Sequence, residues 1–297
     1  MSNLVIRRAQ ESDREAVLGF TKDTFSWGDY IYRVFDRWLA DASGRLLVVE
    51  LDGTIVGLSF VKMTKLGEVW LQGGRVDKRF RRSGIGAAMT NECLRIAKEE
   101  MNANIARVIT DKTNFPPQKL LKKLGFKLVT EFTELQKEIE AMKNQTNLRD
   151  VMFAKEKAVR EIWEYLKRSY IFSKSSGLYT KWFVWYTLGE EDLRRFTLDE
   201  KTVVYHPGGK VRGVMLIDDT TLEARAEKSI QSCYFDAEED KGIAALSSFL
   251  TNHAASKGLE RVRLWTYPEK RIIKWLKENS FAGEVEESTE LVWSKQL

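Results

Sequence analysis

Arg81-Arg82-Ser83-Gly84-Ile85-Gly86-Ala87 joins a strand-like segment ending at Val76 to a helix-patterned one. Glycines at 84 and 86 let the backbone bend and approach a ligand closely. Amides exposed at a helix start point outward, and the helix dipole favours an anion there. Lys78, Arg79, Arg81 and Arg82 add four positive charges within five residues. The stretch reads as a phosphate cradle, with a glycine turn carrying solvated cations as the plainer alternative. A dinucleotide fold requires Gly-x-Gly-x-x-Gly after the first strand of a parallel unit, and the third position here is Met89. A Walker loop requires Gly-Lys-Ser/Thr, which is absent.

Working outward, Leu4–Arg8 has the β-branched content of a strand, and Ser12 with Glu15 suggests a capping box for a helix running to about Phe25. After Gly28-Asp29, the aromatics Tyr30, Tyr32, Phe35 and Trp38 recur near helical spacing. Leu46–Leu51, the Asp52-Gly53 turn and Thr54–Met63 make a hairpin, and Glu68–Val76 adds a third antiparallel strand. From Ile85 the apolar residues Met89, Cys93, Ile96, Ala97 and Met101 mark a helix with one buried face. A strand at Ile105–Thr110, a short helix ending near Gly125 and a strand at Lys127–Glu138 follow.

This order resembles the GNAT superfamily of N-acetyltransferases, whose pyrophosphate motif is Arg/Gln-x-x-Gly-x-Gly/Ala after a strand ending in Val. Val76, Arg81, Gly84 and Gly86 fill that pattern, and Asn114 followed by Gly125-Phe126 has the spacing of the second signature. The resemblance covers roughly residues 4–140. It implies acetyl-CoA as acyl donor, with Arg81, Arg82, Ser83, Gly84, Ile85, Gly86 and Ala87 on its phosphates. It further implies that the fourth and fifth strands splay apart around the pantetheine, bonded by Arg75 and Val76 and steadied by Asn114. The alternative for Asn114 is that it merely caps the helix after it.

The resemblance stops short of the catalytic residues, which are left unassigned. Where many members carry a tyrosine acid this chain has Leu121, and the strand region of the usual carboxylate reads Leu71-Gln72-Gly73-Gly74. Gln72 can orient a substrate but cannot take a proton. Trp27, Asp29 and Tyr30 lie where the superfamily lines its acceptor pocket, in a stretch similar to tandem members of the histidine N-acetyltransferase type. With Gln72 they are the candidate acceptor contacts, and Glu68, Asp29 and Tyr30 are candidate helpers in catalysis. The implied reaction is acetyl transfer to a small-molecule amine or an amino acid. A protein or peptide N-terminus, or an idle CoA-binding sensor, stands as the alternative.

Residues 146–297 echo the first half. Thr202–Tyr205 and Val211–Ile217 make a hairpin, Gly242-Ile243-Ala244-Ala245 opens a helix, Arg261–Thr266 is a strand and Lys270–Lys277 a helix reaching Ser280-Phe281. Glu238, Glu239 and Asp240 occupy the stretch that carries arginines in the first copy, so no cofactor is expected there. Two domains follow, 1–145 and 146–297, in an α/β fold (mixed α+β) of tandem GNAT-like type. Each would be a mixed, mostly antiparallel sheet flanked by helices.

The remaining composition excludes other classes. Two cysteines and two histidines among 297 residues leave no metal-ligand pattern and disfavour a Ser-His-Asp triad. A net charge of +5 from 48 basic and 43 acidic residues is a mixed surface, from which nucleic-acid binding does not follow. No apolar run approaches the roughly 20 residues of a membrane span, and no signal-peptide pattern opens the chain. A cytoplasmic location is expected.

Overall fold

In the computed structural model, the described residues are 3–25, 28–139, 150–219, 228–283 and 288–297. The chain forms two compact units, Met1–Leu128 with Trp293–Leu297, and Val129–Val292. The expected boundary at residue 145 lies outside the described residues. The units do not follow sequence order: the chain's last residues complete unit 1, while most of the strand Lys127–Glu138 belongs to unit 2.

Unit 1 opens with β1 (Leu4–Arg8), α1 (Arg14–Thr21) and α2 (Ile31–Ala40). The helix start differs from the Ser12–Glu15 reading. Asp13 accepts the Gln10 backbone N–H at 2.8 Å and is gripped by both Arg7 Nη atoms at 2.7 and 2.8 Å. That charged contact outweighs a local serine cap. The Arg7 hydrogen bonds hold the Asp13 carboxyl below its ordinary range, against the opposing effect of burial. Its stabilisation is therefore present above the unfolded carboxylate pKa and lost as pH falls through the depressed folded value. Asp13→Asn is expected to cost about 1–3 kcal/mol near neutral pH. Denaturant melts should show this penalty shrinking under acid.

Three antiparallel strands follow, β2 (Gly44–Leu51), β3 (Thr54–Lys65) and β4 (Glu68–Val76), then α3 (Ile85–Glu99), β5 (Ile105–Asp111) and α4 (Phe115–Lys123). The sheet order is β1-β2-β3-β4-β5, with β5 parallel to β4. Ile85 and Met89 of α3 pack on Val49 and Val56. The left-handed Gly125 ends α4: its N–H reaches Lys122 O at 3.1 Å and the Phe126 N–H reaches Leu121 O at 3.0 Å, a Schellman arrangement.

Unit 2 contains β6 (Lys127–Glu138, from Val129 onwards), β7 (Val151–Phe153), α5 (Val159–Arg168), α6 (Tyr170–Lys174), β8 (Leu178–Lys181), β9 (Val184–Thr187) and α7 (Glu190–Leu198). It continues through β10 (Thr202–Tyr205), β11 (Gly213–Asp218), β12 (Ser229–Ala237), α8 (Asp240–Ser256), β13 (Arg261–Thr266) and α9 (Lys270–Glu278) to the start of β14 (Thr289–Gln296). Its sheet runs β6-β13-β12-β11-β10-β7, with β12 and β13 parallel and the other pairs antiparallel. This is the strand plan of unit 1, with the hairpin β8–β9 inserted between the first helices and α7. Of the aromatics in this half, Tyr165, Tyr179 and Trp185 are core, while Trp163, Trp182, Phe183 and Tyr186 are half-buried.

Candidate functional site

The site in unit 1 is built where β4 leaves its neighbour. β4 and β5 pair only at Glu68↔Ile105, Val69↔Ala106 and Trp70↔Arg107, although β4 runs on to Val76 and β5 to Asp111. Past Trp70 this flank of β4 has no paired partner in β5. Residues 73 and 74 bulge: Leu58 faces Arg75 and Phe60 faces Gln72, leaving Ser59 alone opposite two glycines. Gly73 has φ +68°, and a Cβ there would lie 2.5 Å from the Trp38 ring. A bulge of this kind re-aims the strand beyond it. Gly73→Ala should force Trp38 outward and cost several kcal/mol, on the scale of about 1–3 kcal/mol for overpacking with left-handed strain added. Comparative thermal melts would show it.

The re-aimed strand turns Val76 to the open flank. Val76 pairs with Gly57, and the next N–H, of Asp77, donates to Val56 O at 2.9 Å. Val76↔Gly57 is thus a pair without mutual hydrogen bonds, and the N–H and C=O of Val76 face away from β3. Its carbonyl accepts from Arg81 Nε at 3.2 Å. Arg75, one residue earlier, has its backbone turned into the β3 ladder.

The loop after Val76 is braced by Asp77. Its buried carboxylate accepts from the Arg79 N–H at 2.9 Å and from Arg79 Nη2 at 2.6 Å, capping the 3-10 turn Lys78–Phe80. The Arg79 hydrogen bonds hold the Asp77 carboxyl below its ordinary range, with burial opposing. Arg79 is thereby neutralised. Lys78, Arg81 and Arg82 are exposed, and neither Lys78 nor Arg82 makes an ion pair among the described residues. The Ser83 hydroxyl donates to Phe80 O at 2.6 Å.

Gly84, left-handed at φ +88°, starts α3 with no side chain to cap the first-turn amides. Uncapped amides at a helix start, beside three unneutralised cations, suit a multiply charged anion. Ile85 is buried and anchors the turn, whereas a Cβ on Gly86 would already touch Leu120 at 3.5 Å. A cavity of about 450 Å³ adjoins the loop, lined by Gly19, Phe20, Thr54, Lys78, Arg79 and Arg81 among others. Across the opening, Asn114 is exposed at the start of α4 and its side chain makes no cap bond. The capping role left open for it from sequence is not used.

The acceptor candidates are disposed differently. Gln72, half-buried, lies opposite Phe60 and shares the face on which Trp38 stacks with Phe60 at 4.8 Å. Tyr30 meets Trp38 edge-on at 6.1 Å. Asp29 is engaged by Arg75 at 2.7 Å and Glu68 by Arg107 at 2.6 Å, so both carboxylates are held in ion pairs. Leu121 is buried core. Trp27 lies outside the described residues. Sequence reasoning passed over the Gly73–Gly74 bulge and the Asp77 brace; the Gly-Gly pair and the acid preceding two basic residues were the available signals.

Unit 2 has lost the loop rather than merely changed its charge. β12 and β13 also part, after Ser232↔Leu264. Yet β12 ends at Ala237 and α8 begins at Asp240, leaving two residues where unit 1 has eight. Gly242 lies inside α8, where a Cβ would meet the Tyr205 ring at 2.9 Å, so its smallness serves packing and does not open the helix. The position matching Val76 O accepts from an arginine as Val76 O does from Arg81, here Arg271 Nη2 to Ala237 O at 2.7 Å, and the Thr266 hydroxyl donates to Phe235 O at 3.2 Å. Among the described residues of the chain no group of His, Cys, Asp or Glu could hold a metal ion. No helix there is long and apolar enough to cross a membrane.

The pattern of the acetyltransferase (GNAT) family matches residues 11–126. An N-alpha-acetyltransferase of Sulfurisphaera tokodaii is 28% identical over 135 residues, covering 42% of this chain and 80% of that protein. A GCN5-related N-acetyltransferase from Sphaerobacter thermophilus shares the fold with TM-score 0.63 at 12% identity, over 99% of this chain and 95% of that one. A tandem GNAT protein from the clavulanic acid biosynthesis pathway does so with TM-score 0.54 at 11% identity, over 100% and 98%. Residues 11–126 thus carry the acetyltransferase (GNAT) pattern, and the chain as a whole shares the fold of these GCN5-related and tandem GNAT structures.

Proposed function

We propose that unit 1 takes acetyl-CoA as donor and transfers its acetyl group to the amine of a small molecule or amino acid. The observation that carries the donor is the unpaired flank of β4, where Val76 presents its N–H one loop away from the uncapped start of α3. Diphosphate would sit on the amides of Gly84, Ile85 and Gly86, with Arg81, Arg82 and Ser83 beside them, the Ala87 N–H already donating to Gly84 O at 3.0 Å. The pantetheine would lie along Val76 with Asn114 opposite, and the adjoining cavity gives room for the nucleotide end. The Val76 N–H, aimed at the thioester carbonyl, would stabilise the oxyanion that forms on attack. With Asp29 and Glu68 held in ion pairs, rate enhancement rests chiefly on positioning, worth roughly 7–11 kcal/mol in favourable cases. Gln72 and Tyr30 remain as contacts that orient the acceptor.

A second reading, a peptide α-amine as acceptor, draws on the Sulfurisphaera relative, whose name specifies the N-alpha position. Unit 2, with two residues between β12 and α8 where unit 1 has an eight-residue loop, is proposed to bind no CoA. Thiol release from acetyl-CoA, followed against free amino acids, small amines and peptides with free N-termini, tests the acceptor. Turnover confined to peptides would overturn the small-acceptor reading, and tight binding of acetyl-CoA without any turnover would favour a sensor.

A further inference from the structure

Two residues that the sequence offers as ligand contacts, Arg75 and Asp29, are turned on each other. Arg75 Nε donates to Asp29 Oδ2 at 2.7 Å and Nη2 to Oδ1 at 3.2 Å, with side chains 13% and 2% exposed. The guanidinium also lies over the Phe25 ring at 5.0 Å and the Tyr30 ring at 5.3 Å. Asp29 Oδ1 accepts the Ile31 N–H at 3.3 Å, and Phe25 and Gly28 exchange backbone hydrogen bonds at 3.0 and 3.2 Å. The described residues of the segment from Phe25 to Ile31 thus converge on one planar cation. Its backbone, in turn, is fixed in the ladder one residue before Val76.

Unit 2 has the same arrangement with different chemistry. Ala237 pairs with Gly213, and the next N–H, of Glu238, donates to Arg212 O, as Val76 pairs with Gly57 and Asp77 donates to Val56. Asp236 is therefore the counterpart of Arg75. Its buried carboxylate accepts from Tyr165 at 3.0 Å, from Tyr234 at 2.9 Å and from the Ser169 hydroxyl. Tyr165 is on α5 and Ser169 opens α6, so the strand position again grips the segment that follows the first helix. A cation in one copy and an anion in the other do the same work.

We infer that Arg75 is a positioning residue: it pins Phe25 and Gly28–Ile31 to the end of β4, so that these residues and the Val76 amide hold one geometry. It is not a contact to CoA. The donor and acceptor arms of the test rest on the function proposed above, and the exchange arm does not. Arg75→Met keeps the apolar stem and removes the fork, Arg75→Lys keeps the charge without bidentate or stacking geometry, and Asp29→Asn leaves the guanidinium in place.

Hydrogen–deuterium exchange of the full chain should show amides at 28–31 exchanging at least about tenfold faster in Arg75→Met and Asp29→Asn, with α3 unchanged. Arg75→Lys should fall between these and the parent. Acetyl-CoA Kd should stay within about threefold, while in thiol-release assays with the free amino acid or amine that the parent chain turns over fastest the acceptor KM should rise and the donor KM hold. Unchanged exchange in 28–31 would overturn the pin. So would a Kd for acetyl-CoA raised more than about tenfold with exchange unaltered, which would make Arg75 a donor ligand. Should Arg75→Met not fold, the Arg75→Lys and Asp29→Asn proteins decide the same question. If the parent chain itself fails to bind acetyl-CoA, the proposed donor is wrong, and the exchange measurement still judges the pin.

Discussion

Replacing Gly84 by valine and Arg81 by alanine together is expected to weaken acetyl-CoA binding by about two to three powers of ten while the chain stays folded. The magnitude has two sources. A charged hydrogen bond to phosphate contributes roughly 1.5–3 kcal/mol, and a β-branched residue at φ +88° carries a left-handed penalty of about 1–2 kcal/mol. The valine relieves that strain by swinging the α3 amides away from the ligand. Both positions are exposed and neither packs the core, so the melting temperature of the free protein should move by only a few degrees. Calorimetric titration beside thermal melts separates the two effects. Arg79→Ala makes a useful comparison, because Arg79 is already paired with Asp77 and should contribute mainly by bracing the loop.

The largest loss of stability is expected at the other end of the chain. Trp293 is 1% exposed, its indole N–H donates to the Thr110 hydroxyl at 2.9 Å, and Lys122 Nζ lies over its ring at 5.8 Å. Nearby, Lys295 Nζ donates to Leu124 O at 2.7 Å and the Leu297 N–H to Asn104 O at 2.9 Å. These last residues close unit 1 beside β5 and α4. Trp293→Ala should cost about 3–5 kcal/mol, through lost burial and a cavity that the surrounding strands cannot fill. Trp293→Phe should cost less, since most of the volume is kept and chiefly the hydrogen bond to Thr110 is lost, a matter of about 1 kcal/mol. Urea melts of the two variants would rank them.

That dependence could not be read from the chain. Periodicity reports which residues are buried, and it marked Lys127–Glu138 and the repeat correctly as elements. It carries no information on which unit a strand joins, because a strand's partners are chosen by long-range register. The β4–loop–α3 region was legible for the opposite reason. Its chemistry is local: Val76, the basic run, Gly84 and the apolar face from Ile85 lie within one continuous stretch, and the turn geometry follows from the glycines.

The hairpin β8–β9 shows the limit most clearly. Its turn is Trp182-Phe183 with φ of +49° and +66°, positions that normally call for Asn or Gly. Nothing in Lys181-Trp182-Phe183-Val184 announces such a turn. Tertiary contacts hold it: Phe183 and Trp185 each meet Trp265 edge-on, at 5.2 and 5.3 Å. The acceptor candidate Asp29 is a related case. Asp29 has the residue type of a substrate contact, and only the fold reveals that Arg75, 46 residues later, already occupies it. The acidic run at Glu238–Asp240 likewise suggested a loop of opposite charge, when β12 and α8 are joined by two residues and no cradle is formed.

Titration of the full chain with acetyl-CoA, reading both affinity and stoichiometry, tests the central claim most directly. One site per chain is expected, abolished or weakened by more than about a hundredfold in the Arg81→Ala/Gly84→Val protein. No binding by the parent chain, two equivalent sites, or a single site indifferent to those substitutions would contradict the assignment of the donor to the β4–α3 loop of unit 1.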